Sequence, residues 1–312
     1  MPEVTAAMVK ELREISGAGM MDCKKALQEA DGDMEQAQKV LREKGLAAAA
    51  KKAGRVASEG LSYVYLNDAE DMAVVVEVNS ETDFVAKNAE FRAFVNKVAL
   101  QAAASENNEI EKFLDEKWNE DNSITVKDAL SQMIARIGEN LSIRRFEKLA
   151  KSPKGVFASY IHAGGKVAVL VELEAETASD AILEAGKNIC MQIASMSPQF
   201  VTRNDVSESF IQSEKEILTQ QAKNDEKNQG KPDNIIEKMI EGRLGKHLRG
   251  LCLYDQEYVK DGDLTVEKYL ESVSKEAGAP VKVLRFVRFE TGEGIAKKEE
   301  NFAEEVNKAM GV

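Results

Sequence analysis

Histidine, cysteine, proline and tryptophan are all scarce in this chain, and each scarcity removes a class of function. Two histidines in 312 residues, His162 and His247, leave little material for a catalytic triad or a histidine-ligated metal. The three cysteines, Cys23, Cys190 and Cys252, lie far apart with no Cys-x-x-Cys pair, which argues against a disulfide framework and a zinc site. Cys23 and Cys190 fall in helical patterns, where a small buried hydrophobe is the simpler reading. Five prolines and 20 glycines argue against long disordered linkers. The chain has no Gly-x-x-x-x-Gly-Lys-Ser/Thr phosphate loop, no Gly-x-Ser-x-Gly elbow, and no dinucleotide-type glycine spacing. No apolar run approaches the roughly 20 residues that cross a membrane. Met1-Pro2-Glu3 lacks the basic and apolar regions of a signal peptide, so a cytoplasmic location and no membrane partner are expected. A net charge of −12, with lysines and arginines scattered among acids, disfavours direct binding to nucleic acid. These absences point away from an enzyme with a cofactor or metal and towards a protein whose partner is another protein.

What is present is a composition 43% apolar and 31% charged, enough in 312 residues for two or three packed units. Val4, Met8, Leu12 and Ile15 recur at helical spacing, with Thr5 as an early cap. Gly17-Ala18-Gly19 turns the chain into a second helix from about Met21, and Asp31-Gly32-Asp33 turns it into a third ending near Gly45. The Ala- and Lys-rich stretch Leu46 to Val56 leads helically onward. Residues 1–55 thus read as a three-helix module.

The remainder contains a duplication. Gly60, Tyr65, Ala73, Val74, Val76, Glu77, Glu81 and Thr82 align without gaps on Gly155, Tyr160, Ala168, Val169, Val171, Glu172, Glu176 and Thr177, 95 residues later. Each copy reads strand, turn, strand, helix: Leu61 to Leu66 with Met72 to Val78, then Val156 to His162 with Lys166 to Leu173. Between the copies lie a polar stretch from 104 to 123, a helix around Val126 to Ile137, and a strand Leu141 to Phe146. Trp118 in that stretch reads as a local packing anchor. From Asp205 to Leu244, two narrow apolar stripes separated by Gly230-Lys231-Pro232-Asp233 predict an antiparallel helical hairpin. Leu251 to Tyr254 and Val281 to Phe289 read as strands flanking a helix near Val266 to Ala277. Phe302, Val306 and Met310 mark a C-terminal helix. The expected class is α+β, with antiparallel sheets in a duplicated core. The expected units are 1–55, a first core subdomain 56–147, a second formed by 148–204 and 245–291, the hairpin 205–244, and a C-terminal module 292–312.

The copies differ at one informative place. Thr82-Asp83-Phe84-Val85 follows the second strand of the first copy, but Ala178 and Ser179 replace the acid and the aromatic in the second. A packing requirement shared by both copies does not explain a feature found in one. Two readings stay open: Thr82 caps a helix and Phe84 joins its core stripe, or Asp83 and Phe84 project towards a partner. Lys87 and Asn88 interrupt the apolar face between Phe84 and Phe91, which bears on the choice without making it.

Four runs then carry a resemblance: Gly17 to Leu27, Thr82 to Asn88, Ile137 to Arg145, and Arg288 to Ile295. Together they closely resemble the translation elongation factor Ts family, collinearly from residue 2 to the C-terminal helix. The resemblance implies a ubiquitin-associated-like N-terminal module and a guanine nucleotide exchange factor without covalent chemistry. Its implied partner is the GTPase elongation factor Tu, in GDP-bound and nucleotide-free states, from which it promotes exchange of GDP for GTP. It implies that Thr82, Asp83, Phe84 and Val85 dislodge the GTPase's magnesium ion, with Met20, Met21, Asp22, Lys87 and Asn88 as further partner contacts. The hairpin serves either that contact or homodimerisation. The alternative function is a non-exchanging adaptor or holdase, for which Asp83-Phe84 has no special role.

Overall fold

The computed structural model describes residues 4–225, 228 and 231–296; the expected C-terminal helix lies outside them. Three helices open the chain: α1 (Ala6–Ser16), α2 (Met20–Glu29) and α3 (Met34–Lys52). Thr5 caps α1 by accepting from the Met8 N–H at 3.3 Å, and Gly17 ends it at φ 62°. Leu12, Cys23, Ala26, Leu27 and Ala37 close a small core between the three. The third helix does not stop near Gly45 but continues to Lys52. Gly45 is buried against α7 (Val126–Ile137), where a β-carbon would sit 3.7 Å from the Ser131 carbonyl oxygen. That distance is ordinary contact, so the helix runs on past Gly45 because the following Leu46 and four alanines favour continuation. An Arg42–Asp128 ion pair at 2.6 Å adds a polar tie between α3 and α7.

The core is two pseudo-equivalent halves. The first contains β1 (Glu59–Leu66), β2 (Met72–Ser80), α4 (Asp83–Lys87), α5 (Ala89–Ala104), α6 (Ile110–Leu114), β3 (Lys117–Trp118), β4 (Asp121–Thr125), α7 and β5 (Leu141–Ala150). The second contains β6 (Gly155–His162), β7 (Val167–Glu174), α8 (Asp180–Met196), β8 (Glu257–Tyr258), β9 (Asp261–Thr265), α11 (Val266–Ala277) and β10 (Lys282–Glu290). The antiparallel sheet orders, β1-β2-β5 and β6-β7-β10, are the same. The polar stretch 104–123 is therefore ordered, and its β3–β4 ribbon has a counterpart in β8–β9, 140 residues on. Thr125 and Thr265 cap the following helices, and Gly138 and Gly278 end them in the left-handed region. Trp118 anchors the first ribbon against Phe94, their rings 5.9 Å apart.

Where the first half has α6, the second has the hairpin α9 (Glu208–Asn224) and α10 (Asp233–Leu251). Because α10 reaches Leu251, the strand expected at Leu251 to Tyr254 is not formed. Cys252 makes one bridge to Phe200, and Leu253–Asp255 form a short 3-10 turn. Burial explains the misreading: Cys252 and Leu253 are fully buried, so a short apolar run looked like a strand.

The sheets pack face to face with helices outside. Along β2, Val74, Val76 and Val78 face α5 and α7, while Ala73 and Val75 join Leu149, Phe157, Leu170 and Phe289 between the sheets. β7 does the same, Val169, Val171 and Leu173 facing its helices and Ala168 and Leu170 facing inward. The next residue on each inward face is a fully buried glutamate, Glu77 or Glu172. Glu77 accepts from Arg145 Nε at 2.6 Å, Arg144 Nη1 at 2.9 Å, Asn79 at 3.0 Å and the Gly292 N–H at 2.8 Å. Glu172 accepts from Arg285 Nε at 2.6 Å and the Ser152 N–H at 2.5 Å. Both arginines lie directly across the ladder, beside matching register shifts at Arg144 and Leu284.

Burial pushes the Glu77 carboxyl up, but the Gly292 N–H, Asn79 and the two arginines outweigh it and hold the group below its ordinary value of 4.5. Its stabilising effect is therefore full above that value and is lost as pH falls through the lower folded value. Glu77→Gln is expected to cost about 3 kcal/mol at pH 7, since it leaves two arginines without their anion. Urea denaturation at pH 7 and again near pH 3 checks this, and the gap between variant and wild type should narrow in acid.

Candidate functional site

Beyond Glu77, β2 ends at Ser80 and the chain leaves the sheet through Glu81 and Thr82 into the five-residue α4. A helix this short is marginal by itself, so its geometry depends on what holds its ends. Val85 faces inward and is buried in the first core. Asn88 caps α5, accepting from the Glu90 N–H at 2.8 Å and the Phe91 N–H at 3.3 Å. Thr82 precedes α4 but does not cap it. Its hydroxyl and its N–H instead donate to the Glu139 carboxylate, at 2.7 and 3.0 Å. The Thr82 carbonyl accepts from Ser80 Oγ at 2.9 Å.

With both ends tied, the outward residues are Asp83, Phe84 and Lys87. Phe84 is 78% exposed, more than any other large hydrophobic residue described, so it does not join the core stripe. Lys87 pairs with Asp83 at 2.7 Å and its ammonium lies 5.8 Å from the centre of the Phe84 ring. The hydrogen bond from Lys87 is the main reason the Asp83 carboxyl lies below the ordinary range, and the Lys87 and Lys166 charges act in the same direction. The tip thus presents an apolar ring beside an ionised carboxylate. The corresponding place in the second half has no such helix: Thr177, Ala178 and Ser179 lead straight into α8.

Met20, Met21 and Asp22 form the first turn of α2, and all three are exposed, the methionines at 58% and 63%. Neither methionine is core. Arg136, on α7, lies between the end of α1 and the start of α5. A β-carbon on Gly17 would overlap its guanidinium, and the same group pairs with Glu90 on α5 at 2.5 Å. A cleft of about 590 Å³ lined by Gly19, Asp22, Arg42 and Arg136 separates the helical module from the core here.

Two residues that hold the site were not among those singled out from the sequence. Glu139 grips Thr82, and the Asn140 N–H donates to Glu81 at 2.6 Å. Asn140 also donates to the Arg55 carbonyl at 2.7 Å, beyond the end of α3. Their only signal was membership of the Ile137 to Arg145 run, because their partners lie 57 and 59 residues away. Among the described residues no cluster of three or more acidic, histidine or cysteine side chains is placed to hold a metal, and no helix is long and apolar enough to cross a membrane.

Known proteins share this sequence over nearly its whole length. A family profile described as "Elongation factor TS" matches residues 81–293, beginning immediately before the Thr82 to Val85 segment. A protein named "Elongation factor Ts" from Clostridium novyi (strain NT) is 54% identical over 307 residues, covering 98% of this chain and 99% of the relative. Relatives of the same name from Clostridioides difficile (strain 630) and Clostridium perfringens (strain SM101 / Type A) are 53% and 52% identical, each covering 99% of this chain and at least 99% of the relative. With a family profile over two thirds of the chain and more than half of the residues identical along nearly the whole length of these relatives, the chain belongs to the elongation factor Ts family of translation elongation factors.

Proposed function

We propose that this protein binds elongation factor Tu in its GDP-bound and nucleotide-free states and promotes replacement of GDP by GTP. The observation that carries this reading is Phe84, held 78% exposed at the tip of α4 in one of two halves that share their sheets and ribbons. Full burial of such a side chain is worth about 1.5–3 kcal/mol, and most of that is unrealised in the free protein. Docked beside a nucleotide site, the ring parts elements of the GTPase while Asp83 engages backbone or polar groups that it exposes. Bound Mg²⁺ tolerates little departure from octahedral geometry, so shifting the groups that hold its waters releases it. GDP then loses the charge that neutralises its phosphates.

Nothing in this scheme requires covalent chemistry. Exchange is coupling between two binding events, and GDP must weaken binding of the factor by the same ratio as the factor weakens binding of GDP. An effect of about a thousandfold corresponds to about 4 kcal/mol, which one buried aromatic and a few displaced contacts supply. The exposed first turn of α2 is the second contact in this reading. Met20 and Met21 supply adaptable apolar surface and Asp22 a charge at its edge. The hairpin, whose Ile217 and Ile235 are both nearly half exposed, extends the contact or pairs with a second copy.

Stopped-flow release of fluorescent GDP from elongation factor Tu, with substoichiometric amounts of this protein, tests the reading. Accelerated release with turnover is expected. Binding without acceleration would make the protein a non-exchanging adaptor. Phe84→Ala should slow release at least tenfold at saturation while changing stability by no more than about 0.5 kcal/mol, because an exposed side chain is removed. The double substitution Met20→Ala, Met21→Ala should raise the half-saturating concentration and leave the saturated rate nearly unchanged.

A further inference from the structure

The two halves share their sheets, their buried glutamate–arginine pairs, their ribbons, their threonine caps and the left-handed glycines that end α7 and α11. They differ in the residues immediately after those glycines. In the first half Gly138 leads into Glu139 and Asn140; in the second, Gly278 leads into Ala279 and Pro280. Glu139 spends its two oxygens on one residue, Oε1 accepting from the Thr82 hydroxyl at 2.7 Å and Oε2 from the Thr82 N–H at 3.0 Å. Alanine has no acceptor with which to do this. The carboxylate grip is thus present in the half that carries Asp83-Phe84 and missing from the half that does not. A requirement of the sheet or of helix packing would have been met in both.

We propose that Glu139 is a positioning residue for exchange: by gripping Thr82 on two sides it fixes the direction in which Asp83 and Phe84 leave the surface. The role rests on the reading of Asp83-Phe84 as the element that acts on the GTPase. Its physical basis is the shortness of α4. With five residues, the helix takes its orientation from its tethers. Val85 in the core and Asn88 capping α5 hold its C-terminal side. On the other side the chain is held by Glu139, by Ser80 on the Thr82 carbonyl, and by Glu81 through the Asn140 N–H. Of these, only Glu139 supplies a charged acceptor to Thr82 itself, and charge-assisted hydrogen bonds are the stronger kind. Releasing it leaves the surface of α4 chemically unchanged and loosens its N-terminal side. A wedge that can swing docks without parting its partner, so the loss falls on the rate at saturation and not on binding.

The test compares Glu139→Ala, Glu139→Gln and Phe84→Ala in the full-length protein. Amide hydrogen exchange is followed over residues 83–88, and GDP release from elongation factor Tu is measured across a range of factor concentrations. Glu139→Ala is expected to speed amide exchange in that segment about tenfold or more, the fold-change that corresponds to losing a charge-assisted hydrogen bond, with the sheets unaffected. The saturated release rate should fall about tenfold while the half-saturating concentration stays within about twofold. Glu139→Gln keeps one acceptor oxygen and should fall between wild type and alanine. If Phe84→Ala slows release and Glu139→Ala does not, the positioning role is overturned and the exchange reading stands. If the wild-type protein accelerates release and Phe84→Ala does so equally, the reading of Asp83-Phe84 as the acting element falls, and the role of Glu139 with it. A Glu139→Ala variant that weakens binding in proportion to its lost rate would be a surface contact and not a positioning residue. Should Glu139→Ala fail to fold, Thr82→Val removes the hydroxyl half of the grip and is judged by the same criteria.

Discussion

A carboxylate buried between two β-sheets is tolerable only if it is surrounded, and Glu77 is surrounded from both halves of the molecule. Arg144 and Arg145 reach it from β5 of its own sheet, and the Gly292 N–H reaches it from just beyond β10 of the other. Removing both arginines would leave the buried carboxylate without a counter-charge, which costs far more than a surface pair would return. The positions of three strands are set by that constraint. β2 keeps its register so that Glu77 faces inward. β5 shifts register beside it, and the chain after β10 comes close enough that a β-carbon on Gly292 would overlap the Ser58 carbonyl. This arrangement fixes the register of β2 and so places its end, from which the chain enters α4.

Duplication separates what folding needs from what function needs. Glu77 and Glu172, Arg145 and Arg285, Thr125 and Thr265, and Gly138 and Gly278 occupy matching places and do matching work. Each of them satisfies a buried charge, caps a helix or ends one. Asp83, Phe84 and Glu139 have no equivalent in the second half, where Ala178, Ser179 and Ala279 stand instead. The hairpin α9–α10 is the reverse case, an elaboration of the second half at the place where the first has only α6. Residues in such unmatched places are free of the requirement to build a sheet.

Much of this was legible in the sequence because it is local or periodic. The valine-rich runs Ala73 to Val78 and Ala168 to Leu173 mark strands, although both are buried on two faces where half-buried strands are expected, and glycines mark the turns of the helical module. α7 and α11 occupy the predicted ranges because threonine and glycine punctuate both ends. Two expectations failed for physical reasons. Gly45 reads as a helix stop, but the Leu46 and four alanines that follow carry the helix on to Lys52. Leu251 to Tyr254 reads as a strand because buried apolar runs look alike in helix, turn and strand. The exposure of Phe84 was not decidable from spacing, since seven residues separate it from Phe91 on a helix that would have placed both inward. The chain instead breaks at Asn88, whose side chain caps a new helix, and the break turns Phe84 out. Glu139 was illegible because a hydrogen bond across 57 residues leaves no local pattern.

A single exposed aromatic is ordinary; what asks for a reason is that Phe84, 78% exposed, stands on a short helix tied at both ends. On the proposed reading the reason is mechanical. Energy is delivered to a partner only if the ring remains extended while the partner yields, so the ring must be less free to move than the elements it displaces. The tethers of α4 provide this: Val85 buried, Asn88 capping, Thr82 gripped, and Lys87 paired to Asp83 over the ring edge. Conformational freedom removed before docking is not lost again at docking, so the free energy of burying Phe84 goes into displacing the partner's contacts instead of ordering the wedge. Folding of the first half and action of its tip are then parts of one chain of constraint, running from Glu77 through the end of β2 to Thr82 and Phe84.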